Sequence, residues 1–238
     1  MQTSSTKTNK KARKLVVKIG RHLFSSNIDA KKILTYAELF QKLQKNGFRI
    51  VVVTGGGEEA RKYIAVAREL GVSEFICDIL GIGVSRLNAF LLIAGIGDAA
   101  YPEPPSTLEE LRKAFENEKI VVMGGLQAGQ STNAVAALAA EAIGADLLIN
   151  ATDIDGVYTV DPKKDPNAKK FMVIKTNELL KLVLDSKLLA GKYELFDPIA
   201  IKIVERSKIP TRIIDGTKTD NIELVVKGKP IGTLIESS

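Results

Sequence analysis

Three short β-branched runs in this chain end in glycine. Leu15–Ile19 (LVVKI) runs into Gly20, Arg49–Thr54 (RIVVVT) into Gly55-Gly56-Gly57, and Lys119–Met123 (KIVVM) into Gly124-Gly125. Stretches with helical spacing lie between and after them: Ala30–Asn46, Glu58–Leu70 closed by Gly71, Phe75–Ala94, and the Ala-rich Asn133–Ile143. Strand, glycine turn and helix in repetition predict an open, mostly parallel sheet flanked by helices on both faces, an α/β/α sandwich. Ligands of such sheets sit outside the carboxyl ends of the strands. That is where these glycines fall.

The make-up of the chain fits a sheet buried on both faces. Apolar residues are 45% of 238, yet aromatic residues are only 5% and Trp is absent. The core must therefore be built from Val, Ile, Leu and Ala. Further strands are expected at Asp146–Asn150, Thr211–Ile214 and Thr233–Ile235. Further helices are expected after Thr107, which with Glu110 forms a capping-box pattern, and at Thr176–Leu184 and Pro198–Ser207. Pro102, Pro104 and Pro105 mark one loop, and Asp161–Lys170 another.

Charge and cysteine usage exclude several classes. Five of the 34 basic residues lie within residues 1–14, leaving 29 against 28 acidic residues in the rest. The net charge of +6 therefore belongs mostly to a polar tail, read as a disordered, solvated extension, with nucleic-acid binding the weaker alternative. One Cys and one His form neither a disulfide framework nor a soft zinc site, and a metal held by protein ligands is not expected. No run of about 18 apolar residues and no leader peptide are expected, which points to a cytoplasmic protein.

Three clusters could carry chemistry. Gly55-Gly56-Gly57 opens a helix, so main-chain N–H groups can approach an oxyanion, with Arg61 one turn on. An ordinary left-handed turn is the alternative. Gly124-Gly125-Leu126-Gln127-Ala128-Gly129-Gln130-Ser131-Thr132 offers amide and hydroxyl groups to a base edge or a phosphate, or simply caps a helix. In Ala151–Pro162, Asp155-Gly156 signals a hairpin turn, Tyr158 could stack on a purine and Asp161 could accept from a ribose hydroxyl. Lys18 ends the first strand beside Gly20. Lys202 lies in the apolar segment Asp197–Glu205, where it either neutralises phosphoryl charge or snorkels from a helix face. Neither GxxxxGK[ST] nor GxGxxG occurs, so a P-loop enzyme and a dinucleotide oxidoreductase are excluded.

Taken together, the segments TDIDGVYTVDP (Thr152–Pro162), GGGEEARKYI (Gly55–Ile64), GGLQAGQSTNAVAALAAE (Gly124–Glu141) and DPIAIKIVERSKI (Asp197–Ile209) resemble the amino acid kinase superfamily, in its archaeal UMP-kinase branch. The resemblance runs from about Leu15 to Glu236. It implies ATP-dependent phosphorylation of UMP, with Mg²⁺ bridging ATP oxygens, in a homohexamer. The acceptor-binding part would be about residues 15–145 and the ATP-binding part about 146–238. Gly56, Asp78 and the stretch Leu126, Gln127, Ala128, Gly129, Gln130, Ser131 and Thr132 would hold UMP. Gly57, Arg61, Thr152, Asp153, Tyr158 and Asp161 would contact ATP, together with Arg21 and His22 of the first loop. Lys18 and Lys202 would stabilise the moving phosphoryl group.

The chain departs from that pattern at Gly20-Arg21-His22, where relatives carry Gly-Gly or Ser-Gly after the lysine. Arginine resists a left-handed geometry that glycine tolerates. If the loop needs one, turnover suffers, and a non-catalytic nucleotide-binding protein becomes the alternative. Relatives also often carry Pro at Ala128 and Asp at Asn133. Another small phosphate or carboxylate acceptor is a further alternative, but isopentenyl phosphate is disfavoured because Glu58–Gly71 contains no His.

Overall fold

The structure is a computed structural model that describes residues 13–162, 165–188 and 196–238. Seven strands form one sheet: β1 (Arg13–Ile19), β2 (Phe48–Thr54), β3 (Val121–Met123), β4 (Leu147–Thr152), β5 (Val173–Lys175), β6 (Thr211–Asp215) and β7 (Thr233–Glu236). Eight helices surround it: α1 (Ala30–Lys45), α2 (Gly57–Glu69), α3 (Glu74–Ile96), α4 (Leu108–Glu116), α5 (Thr132–Ile143), α6 (Thr176–Leu188), α7 (Pro198–Ser207) and α8 (Asp220–Val226).

The strand order is β3-β2-β1-β4-β6-β7-β5, and only the β6–β7 pairing is antiparallel. From β1 the chain steps outward through β2 to β3, then returns to lay β4 on the other side of β1. The order thus reverses between β1 and β4. Loops leaving those two strands diverge, and a crevice opens at their carboxyl ends.

Strand alternation divides the core into two layers. Leu15, Val17 and Ile19 face α1, α3 and α8, while Val16 faces α4, α5 and α7. Lys18 follows Val16 onto the α5–α7 face, in register with Val53 and Asn150. The Ala-rich sequence of α5 suits this place, because Ala134, Ala136, Ala137, Ala139 and Ala140 are all buried between sheet and helices. Small side chains let the helix axis lie close to the strands while leaving few voids.

Several sequence expectations move. Arg13 and Lys14, assigned to the tail, open β1, and the Lys14 ammonium donates to the Ile143 carbonyl at 2.7 Å. Residues 1–12 of the expected disordered tail lie outside the described residues. Strand β5 and helix α8 had no clear sequence signal, being only three and seven residues long. Asp155-Gly156 forms no hairpin turn; the antiparallel bridge joins Tyr158 to Lys170 instead and closes the Pro/Lys/Asp-rich loop. Thr107 caps α4 as expected, and the Glu110 carboxylate accepts from the Ser106 N–H and hydroxyl as well as reaching back to the Thr107 backbone.

One helix comes near the membrane-span pattern that the sequence was expected to lack. Glu74–Ala99 is long and apolar enough to cross a membrane by length and composition. In this fold it is the wall of the crevice: α3 packs along α2, α1, β2 and β3.

Candidate active site

The crevice encloses about 690 Å³ at the carboxyl ends of the central strands, within the range of small-molecule sites. Among the described residues, three cations line it: Lys18, Arg21 and Arg61. So do three carboxylates, Asp78, Asp153 and Asp197. Of the residues singled out in the sequence, Gly56, Gly57, Gln130, Ser131, Thr132 and Thr152 are also in the wall.

Two of the three glycine turns are held by α3. The Asn88 amide donates to the Gly55 carbonyl at 2.9 Å, and the Ser85 hydroxyl accepts from the Gly125 N–H at 2.7 Å. Arg86 donates to the carbonyls of Gly125 and Leu126. Asp78, two turns earlier on the helix, accepts from the Gly129 N–H at 2.7 Å. The loop Leu126–Thr132 is therefore held at its start and at its middle by one rigid element. Ser85, Arg86 and Asn88 were not anticipated as site-forming. Their signal was legible: a polar SRLN interruption within a long apolar helix.

Close approach explains two of the glycines. Gly57 has φ +67°, and a Cβ there would lie 2.1 Å from the Phe24 carbonyl oxygen. A Cβ on Gly124 would meet the Ser85–Arg86 backbone of α3 at 2.6–2.7 Å. The turns thus serve packing against α3 and the first loop as well as exposing N–H groups at the starts of α2 and α5.

A second joint closes the far wall. Ser131 caps α5 by accepting from the N–H groups of Asn133 and Ala134, while its hydroxyl donates to Asp197. Asp197 caps α7 by accepting from Ala200 N–H at 3.0 Å, with Pro198 at the first helical position. Two helix N-termini are thereby tied together at the crevice. Asp197 was passed over as a site residue, although the Asp-Pro pair is a helix-start signal.

Burial pulls the Lys18 ammonium down to about 8; Asp153 opposes this, Arg21 adds to it, and Asp197 opposes it. Lys18 is thus a desolvated cation among charges that matter to it, as a group built to meet an incoming anion must be. Arg21 donates from Nε (3.3 Å) and Nη2 (2.7 Å) to one Asp153 oxygen.

Other candidates lie elsewhere. Lys202 is on the exposed side of α7, opposite the buried Ala200, Ile201 and Val204, and its ammonium pairs with Glu205 at 2.7 Å. Tyr158 and Asp161 are not in the crevice wall; the Tyr158 hydroxyl donates to Asp155 at 2.7 Å. Leu126, Gln127, Ala128 and Gly129 form the outer limb of the acceptor loop rather than the wall, and Leu126 leans on the core.

His22 does not reach the crevice. Its ring sits against Gly216, and its Nε2 lies 2.7 Å from the Tyr36 hydroxyl, which donates to the Gly216 carbonyl. A carbonyl only accepts, so the Tyr36 proton goes to Gly216 and His22 Nε2 carries the ring proton. Burial first, then Lys18, pushes His22 down to about 4, so the ring is neutral near pH 7. It anchors the first loop to α1 and to the turn after β6.

The worry about Arg21 has a direct answer. Glu118 and Lys208 are the non-glycine residues with positive φ among those described, and neither Gly20 nor Arg21 is left-handed. The first loop does not need the glycine that Arg21 replaces, so the feature that kept a non-catalytic alternative open loses its steric basis.

The comparisons agree with this geometry. Residues 13–215 match the model of the amino acid kinase family. The chain is 52% identical to uridylate kinase of Hyperthermus butylicus over 200 residues, covering 84% of this chain and 88% of that one. It is 46% identical to uridylate kinase of Methanococcoides burtonii over 219 residues, covering 92% and 93%. The crystal structure of uridylate kinase from Archaeoglobus fulgidus superposes with a TM-score of 0.83 at 41% identity, covering 93% of this chain and 99% of that one. A site of glycine turns around a buried lysine, on this sheet order and with these relatives, makes the chain a member of the amino acid kinase family.

Proposed function

We propose that this chain is a UMP kinase that transfers the γ-phosphoryl group of ATP directly to UMP, giving ADP and UDP. The observation that carries the reading is the place of Lys18. It stands at the switch point of the sheet, between the acceptor loop that α3 holds and the Thr152-Asp153 end of β4, in a chain so similar to uridylate kinases.

In the transfer, an oxygen of the UMP phosphate forms a bond to Pγ as the bond from Pγ to the β–γ bridging oxygen breaks. The electron pair stays on the ADP oxygen. A phosphate dianion needs no general base, so the protein positions groups and neutralises charge. Lys18, whose charged form burial disfavours, is held more firmly in that form as anionic oxygens arrive beside it. The N–H groups opening α2 and α5 add fixed positive ends.

UMP would occupy the side built from Gly56, Asp78 and Leu126–Thr132, and ATP the side built from Gly57, Thr152 and Asp153, with Tyr158 and Asp161 at its outer margin. Arg61, expected at ATP, would serve the acceptor in this reading, since it lines the crevice together with Ile64, Asp78 and Gly81 of α2 and α3. The halves 15–145 and 146–238 then serve acceptor and donor while sharing one sheet through the β1–β4 pairing. Mg²⁺ fits the hard oxygen donors of Asp153 and Asp197, and would supply charge neutralisation on the ATP phosphates. Among the described residues no cluster of three His, Cys, Asp or Glu side chains could hold a metal by itself.

ADP release should be measured with UMP, CMP, isopentenyl phosphate, acetylglutamate and carbamate as acceptors. A kcat/KM for UMP roughly 100-fold or more above the others is expected. Equal rates across that set would overturn the assignment.

Homohexamer assembly is part of the same reading. Tyr63, Val66 and Leu70 of α2 and Phe75, Ile79 and Phe90 of α3 are large, apolar and exposed. Apolar surface on this scale marks contact between chains. Light scattering should give the mass of six chains, and Leu70→Glu with Phe90→Glu should reduce it. A monomer at micromolar concentration would refute the assembly.

A further inference from the structure

We propose that Arg21 is a second catalytic cation of this chain, held at the donor edge by Asp153 and transferring its guanidinium to the oxygens of the moving phosphoryl group when the donor binds. The inference rests on the kinase reading above.

The crevice must balance an accumulation of negative charge. ATP⁴⁻ and UMP²⁻ become ADP³⁻ and UDP³⁻ as one P–O bond forms and one breaks, with no proton transferred. In the transition state the charge spreads over the three oxygens of the moving group, and cations near it do most of the work. Lys202, the expected second cation, points away from the crevice and is paired with Glu205. Arg61 sits on the acceptor side. Of the basic side chains lining the crevice, Arg21 alone comes from the loop that follows Lys18 on β1.

Its setting suits the role. The loop backbone is fixed: Gly20 N–H donates to the Ala151 carbonyl at 2.9 Å, and the His22 ring anchors the next residue to Tyr36. The side chain is free to swing, with 44% exposure. Two of its five N–H groups go to one Asp153 oxygen, and the other three have no protein partner among the described residues. An exposed ion pair is a weak tether, and a phosphoryl group offers more charge and a better match to the guanidinium fork than a single carboxylate oxygen. Lys18, Asp153 and Asp197 are the charged groups sharing this space.

Arg21→Gly and Arg21→Lys should be compared with the unaltered protein. Two readouts are needed: kcat and KM at saturating ATP and UMP, and calorimetric affinity for MgADP plus acceptor with and without aluminium fluoride, a mimic of the moving phosphoryl group. For Arg21→Gly the expected result is a fall in kcat of about 100-fold with each KM within about threefold. Affinity for the fluoride complex should fall by a similar factor while MgADP affinity holds, and Arg21→Lys should recover part of both. Unchanged or increased kcat in Arg21→Gly overturns the proposal, as does equal weakening of MgADP and its fluoride complex. If the unaltered protein makes no UDP, the acceptor assignment fails instead; the fluoride comparison, run with whichever acceptor is used, still tests Arg21.

Discussion

Lys18→Ala is expected to lower kcat by about 1,000-fold or more at saturating ATP and UMP, while Lys202→Ala changes it by less than about threefold. Lys18 is a cation withdrawn from water at the switch point, and its field acts where screening is weak. Lys202 is exposed, paired within its own helix turn and outside the crevice. Single-turnover kinetics with both variants would separate the roles. Comparable losses would mean that α7 turns Lys202 inward during catalysis and that the assignment here is wrong.

The same lysine makes two linked pH predictions. In the protein without ligands its value is about 8, against 10.5 as an ordinary lysine. As pH rises through about 8, Lys18 loses its proton and kcat/KM should fall. Stability should move the other way. Between about 8 and 10.5 the unfolded chain binds more protons than the folded one, so stability increases with pH across that window. Below it, both forms are charged and the burial penalty is carried in full. Lys18→Met removes the penalty, so it should be more stable than the unaltered protein at pH 7 while failing to turn over. A lower Tm for Lys18→Met would show that the ammonium contributes more through its neighbours than it loses by burial.

Gly57→Ala should be among the most damaging single methyl groups in the molecule. The residue adopts φ +67°, which L side chains rarely take, and its Cβ would sit 2.1 Å from the Phe24 oxygen. That oxygen also accepts from the Glu58 N–H at 3.0 Å, so moving Phe24 aside breaks a bond that starts α2. Neither atom is the free end of a flexible side chain. A loss of about 3–5 kcal/mol is expected, lowering Tm by roughly 10 °C in a domain of this size. Because the strain moves the start of α2, which carries Gly57 on the ATP side and Arg61 on the acceptor side, affinity for both substrates should fall. Gly71→Ala is the control: it has the same sign of φ but nothing within 4 Å of its Cβ, so it should cost much less. Equal losses in the two variants would show that backbone conformation, and not the contact with Phe24, decides the matter.

Much of this protein could be read from the chain alone because the relevant physics is local. β-branched runs of five or six residues ending in glycine placed the central strands within two residues of their observed bounds, and Pro198–Ser207 was placed at both ends because Asp197 and Pro198 are strong start signals. Strand β5 escaped notice because three residues carry no period, and α8 because seven carry little more than one. Tyr158 and Asp161, expected at a nucleoside, lie beyond the crevice wall because the loop they belong to is closed by a bridge from Tyr158 to Lys170, a contact that no local pattern encodes.

The sequence by itself determined the order of the elements, the glycine turns and the lysine on β1, since propensity, alternation and backbone freedom belong to single residues and their near neighbours. Only the tertiary structure decided which groups share the crevice. Whether Lys202 faces phosphate or water depends on which side of α7 packs against α5 and the sheet. Whether Ser85, Arg86 and Asn88 are surface residues or the clasps of two turns depends on where α3 lies. Whether Arg21 obstructs a loop or arms it depends on a dihedral angle and on Asp153, 132 positions away. Those outcomes are set by contacts between distant segments, and such contacts exist only once the chain has folded.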